Sequence, residues 1–170
     1  MTLFVATLSP VFGRMSDRTG PGVLLVAGSL VTAGGYAMMA LTAPGALFWE
    51  GVLPAMCLIG LGMSMVVAPL SSAVMGAVEE DQSGIASGIN NAATRMAGLI
   101  SVAAMGGIVA ASYRSAGGTA SFGEMTDAAG HGVAMSAGLT TVAWVAAVLC
   151  LLSAGLAWRL PHGSEKPEHR

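Results

Sequence analysis

Polar and apolar positions along this chain are gathered into blocks rather than alternated. Four uncharged stretches, 23–43, 52–77, 84–112 and 133–158, are separated by short polar connections, and Arg95 is the single charge inside any of them. At about 20 apolar residues per crossing, each stretch predicts a transmembrane helix. Barrel strands would need roughly ten-residue segments of alternating polarity, which these runs lack. A fifth apolar run, 1–12, reaches only about half a crossing. The pattern therefore predicts an all-α membrane protein of about four full transmembrane helices plus a half helix at the N-terminus.

Composition agrees with that class. Hydrophobic residues make up 54% of the 170, charged residues 9%, and mean hydropathy is +0.73, whereas a soluble domain carries about a quarter charged residues. The short first run has a physical consequence. A helix spanning only 1–12 would leave its charged amino terminus near mid-bilayer, where a charge is costly, so further sequence is expected ahead of it. A cleaved signal peptide is the rival reading, but no basic region precedes the apolar run and no convincing small-residue cleavage site precedes the polar turn.

The basic residues orient the helices. With the turn Gly13–Gly22 (GRMSDRTGPG) in the cytoplasm, that side receives Arg14, Arg18, Arg159, Lys166 and Arg170, and the far side receives Arg114 alone. Basic residues accumulate on the cytoplasmic side, so a cytoplasmic first turn and C-terminus are expected. The acidic connection Glu79, Glu80, Asp81 falls on the same side without reversing the rule. The net charge of -2 carries no partner information, and no basic patch suggests nucleic acid.

Candidate chemistry is sparse. Cys57 and Cys150 lie in apolar runs as small hydrophobes, and no metal-ligand spacing or disulfide framework is visible. His131 falls in the segment 113–132, read as a flexible external loop rich in Gly, Ala, Ser and Thr, and is expected to be solvated, as are His162 and His169 in the polar tail 161–170, which is expected to be disordered. No metal, cofactor or catalytic set is assigned, and an enzyme is not expected.

Two motifs carry a resemblance. Gly13, Asp17, Arg18 and Gly20 stand in an order that resembles motif A of the major facilitator superfamily, a cytoplasmic turn joining the second and third helices of each six-helix half. Physically, the glycines allow close approach or positive φ, Asp17 can accept from a helix N-terminus or pair with arginine, and Arg18 stays among headgroups. Such a turn can latch two helices in one transport state. Without the ordered spacing it would read as a solvated cytoplasmic turn. Pro21 and Gly22 stand where the family usually has two basic residues, which weakens the latch.

The second motif, GIASGINNAATRMAGLISVA over 84–103, is similar to the penultimate helix of fourteen-helix drug:proton antiporters, through Gly84, Ala86, Ser87, Gly88, Asn91, Arg95, Gly98, Val102 and Ala103. The preceding run agrees through Gly60, Gly62 and Pro69. The resemblance implies that 1–160 is part of the C-terminal half of such a transporter, holding the end of its tenth helix and helices eleven to fourteen. It further implies a multi-pass protein of the inner membrane, a missing N-terminal half or a second chain, protons, and lipophilic or cationic small-molecule substrates.

Within that second motif Ser87, Asn91 and Arg95 recur at four-residue spacing and share one helix face. This is a buried polar stripe candidate for gating or for a substrate or proton pathway, since an intramembrane ionisable residue marks function by default. The alternative is that Arg95 snorkels to the headgroups. Gly84 and Gly88 form a GxxxG read as packing inside the bundle. Pro69 can kink its helix but suits plain packing as well, and Met56, Met63, Met65 and Met75 read as core filling. Three functions stay open: an efflux antiporter fragment inactive alone, a transporter subunit that needs a partner, and a non-transporting membrane scaffold.

Overall fold

The computed structural model describes residues 12–16, 20–42, 48–76, 78, 80–120 and 130–159. Among these the chain is helical almost throughout, with no strand. Four long helices follow in order: α1 Pro21–Thr42, α2 Leu53–Gly76, α3 Ser83–Ser115 and α4 His131–Arg159. A one-turn π-helix, Phe48–Val52, leads into α2, and a 3₁₀ turn, Glu80–Gln82, leads into α3. All four are long and apolar enough to cross a membrane. The protein is an all-α membrane protein, as the blocks of hydropathy require.

Local chemistry sets the ends. The helical segment 12–16 closes where the Gly20 N–H donates to the Ser16 carbonyl at 2.9 Å, with Gly20 at φ 82°. Pro21 then opens α1 at the position where its missing N–H costs nothing. α3 ends in a Schellman cap: Gly117, at φ 87°, donates to the Arg114 carbonyl, and Gly118 donates to that of Tyr113 at 3.0 Å.

α1 is the central helix, flanked by α2 and α4, while α3 packs on α4 and grazes the end of α2. Glycine makes the α1–α2 seam close. A Cβ on Gly28 would lie 2.8 Å from the Gly62 carbonyl oxygen, and one on Gly35 would lie 2.7 Å from the Ile59 side chain. Thr32 sits between them, buried, its hydroxyl donating to the Gly28 carbonyl at 2.8 Å. Since lipid offers helices no hydrophobic drive to associate, such backbone approach is what holds them. Gly28 meets residues 62–66 and Gly35 meets 55–59, so the two helices are antiparallel. α4 contributes a run of small buried residues, among them Ala134, Gly138, Ala143, Ala147 and Ala154.

α3 is different. Of its 33 residues only Val109 and Tyr113, both near its C-terminal end, are buried. Ile85, Ile89, Met96, Leu99 and Ile100 all stand outward. The GxxxG reading is corrected here: a Cβ on Gly84, Gly88 or Gly98 would meet nothing within 4 Å among the described residues. The close seam belongs to α1 and α2 instead. Core filling likewise fails for Met56 and Met63, which are exposed on α2. The half helix at 1–12, apart from Phe12, and the tail 161–170 lie outside the described residues.

Candidate functional site

The polar positions of α3 are sorted by its own periodicity. Ser87, Asn91 and Arg95 follow one face at four-residue spacing, with Thr94 and Gly98 beside them, while Ile85, Ile89, Met96 and Ile100 occupy the other. The Arg95 Nε–H donates to Asn91 Oδ1 at 3.4 Å, a long bond for this geometry. Thr94 turns its hydroxyl back to the Asn90 carbonyl at 2.8 Å. Burial of the stripe was expected. Ser87, Asn91 and Arg95 are instead all exposed, since among the described residues no helix packs on that face of α3.

At the same end of α3 a cleft of about 480 Å³ opens toward α2. Val74, Val78, Ile85 and Ile89 give it apolar walls, and Gln82 and Asn90 supply side-chain amides. An amide offers both donor and acceptor without charge, so the cleft suits an apolar body with one hydrogen-bonding group. Asn90 thus joins the candidate set. Its neighbour Asn91 was legible from spacing, but Asn90 is reached only once the end of α2 is placed against α3.

The far end of α3 carries a second polar contact. Tyr113, 1% exposed, shares a hydrogen bond of 2.7 Å between its hydroxyl and His131 Nδ1, and the rings meet edge to face at 5.5 Å between centroids. The reading of His131 as a solvated loop histidine is therefore corrected: it is the first residue of α4 and ties that helix to α3. The Schellman cap makes this possible by folding Gly118 against the Tyr113 ring, where a Cβ would collide with it.

Of the motif A-like turn, Asp17 and Arg18 lie outside the described residues. Gly20 has the positive φ of 82° that such a turn calls for, whereas Gly13 is helical and no atom lies within 4 Å of its would-be Cβ. Pro69 is fully buried in α2, which continues as helix through it. Cys57 and Cys150 are free and half-buried. Among the described residues no group of three His, Cys, Asp or Glu could hold a metal ion.

Comparison with known proteins bears on both motifs. The chain is 29% identical over 161 residues to the puromycin resistance protein pur8 of Streptomyces alboniger, covering 89% of this chain and 30% of that protein. It is 30% identical over 112 residues to the multidrug resistance protein Stp of Mycobacterium tuberculosis, covering 63% of this chain and 20% of that one. Both relatives are named for drug resistance, so the expected resemblance to drug-efflux proteins is borne out. The chain spans less than a third of the length of these relatives. No protein-family model matches it, and no solved structure matches it.

Proposed function

We propose that this chain is the C-terminal portion of a proton-coupled efflux antiporter for lipophilic or cationic small molecules, inactive without the rest of the transporter. The observation that carries the proposal is the alignment of 89% of the chain with 30% of a puromycin resistance protein, a relative about three times its length. In this reading the protein spans the inner membrane with its first turn and C-terminus in the cytoplasm. The Gly13, Asp17, Arg18, Gly20 turn latches two helices there. α3 presents Ser87, Asn91 and Arg95 to the pathway, and the cleft beside Asn90 receives the apolar part of a substrate as the two halves rock about a central cavity. Pro69 lies within α2, whose C-terminal Val74 lines that cleft.

Puromycin accumulation in cells carrying the transporter tests this. Arg95→Leu is expected to abolish extrusion while leaving the protein inserted in the membrane, and an ionophore that collapses the proton gradient is expected to do the same to the unaltered protein. Extrusion that survives both treatments overturns the reading.

The exposed face of α3 favours a second reading, a subunit that completes its pathway with another chain. It predicts a stable complex in mild detergent when the native start is at Met1. Recovery of only aggregated or degraded monomer counts against it.

A further inference from the structure

Arg95 poses a problem of charge that the described residues do not solve. Its depth follows from the Tyr113–His131 bond, which sets the ends of α3 and α4 level with each other. Arg95 is 18 residues before Tyr113, or about 27 Å along the helix at 1.5 Å per residue. Counted the same way down α4, that level is Leu149, about 14 Å inside the end of the uncharged run at Trp158. A guanidinium does not shed its charge in a protein, and a charge at this depth has to be paired or stand in water.

By sequence, no acidic residue lies within an apolar run at the level of Arg95. The nine are Asp17, Glu50, Glu79, Glu80, Asp81, Glu124, Asp127, Glu165 and Glu168, and none falls inside the four uncharged runs. Asp81, the nearest before α3, is 14 residues from Arg95, about 21 Å along the axis. Glu50 opens the opposite end of α2, about 36 Å from Val74, which faces the start of α3 across the cleft. An arginine side chain reaches only about a third of the shorter distance. Asn91 engages Nε alone, and among the described residues nothing bonds the two Nη groups.

We propose that Arg95 is the docking point for a carboxylate on a transmembrane helix that lies outside these 170 residues and within the remaining two-thirds of a relative-length transporter. The features are complementary. Asn91 engages Nε and leaves the two Nη groups for another partner, and a guanidinium binds a carboxylate at two points. Gly88 and Gly98 flank the fork on the same side, leaving room for a helix backbone to come close. The proposal goes beyond the export reading, because it concerns assembly and holds whatever the substrate is.

The test uses the full chain in its native membrane. Arg95→Lys, combined with Lys166→Arg, places the chain's one lysine side chain at the docking point. Treatment with membrane-permeant dicyclohexylcarbodiimide then joins that amine to any carboxylate in contact. Mass spectrometry is expected to find the α3 peptide amide-linked to an Asp or Glu within an apolar span absent from residues 1–170. A link to Asp81 or Glu80, an adduct with phospholipid phosphate, or no link at all overturns the proposal. In a second arm, Arg95→Glu is expected to lower the melting temperature of the detergent-solubilised full-length transporter, with Arg95→Lys restoring it, and an unchanged melting temperature overturns the proposal equally. Export assays are not needed, so failure here leaves the efflux reading standing.

Discussion

The Tyr113 hydroxyl and His131 Nδ1, 18 residues apart in sequence, meet at 2.7 Å and join the end of α3 to the start of α4. It lies at the end of α3 whose residues Val109 and Tyr113 are buried. Tyr113→Phe keeps the ring and removes the bond, leaving the half-buried His131 imidazole to find another partner. The expected cost is about 1–2 kcal/mol, read as a lower melting temperature of the detergent-solubilised protein. His131→Ala should cost a similar amount, and the double variant less than the sum, since both remove one bond. Strict additivity would show that the contact does not form.

The two sets of glycines should respond in opposite directions. Gly62→Leu drives a side chain into the Gly28 carbonyl and Thr32 and is expected to cost about 3 kcal/mol. Gly98→Ala meets open space on a helix and is expected to stabilise the isolated chain by about 0.5–1 kcal/mol. Melting curves of the two variants side by side check both. A tolerated Gly62→Leu would mean that α1 and α2 do not pack through their backbones.

Gly20 makes a different demand, on conformation rather than on space. Its φ of 82° is one that an L-residue adopts at a cost of about 1–2 kcal/mol. Gly20→Ala should lower stability by that amount, and Gly20→Asn by less, because asparagine tolerates the left-handed region. Equal melting temperatures for the two would show that the turn relaxes to negative φ.

The cleft can be filled. Ala93→Trp adds bulk among Ile85, Ile89 and Asn90 and is expected to weaken binding of a lipophilic fluorescent dye to the purified chain about tenfold. The same substitution one turn further on, at Ala97, should leave binding unchanged. Titration of dye fluorescence distinguishes the two sites.

The sequence made the four crossings legible because twenty uncharged residues in a row have few other fates. Ser87, Asn91 and Arg95 were legible as one face because helical periodicity needs no knowledge of neighbours. Their exposure was not, since burial depends on which other helix lies alongside. Glycine was misread for the same reason. With 24 glycines in the chain, GxxxG at Gly84 and Gly88 looks no different on paper from the pair Gly28 and Gly35, and only the facing residues Gly62, Ile59 and Ala55 decide which is a seam. His131 was placed in a loop because its flanks are Gly-rich, and its bond to Tyr113 spans a segment that no local pattern connects.

α3 is gripped at Tyr113 and only lightly touched near Asn90, so it acts as a lever with its fulcrum at one end. On an arm of about 27 Å, a rotation of about 10° at the fulcrum sweeps Arg95 through about 5 Å, roughly the difference between a paired guanidinium and a separated one. Movement too small to disturb the glycine seam of α1 and α2 is thus magnified where the charge is carried.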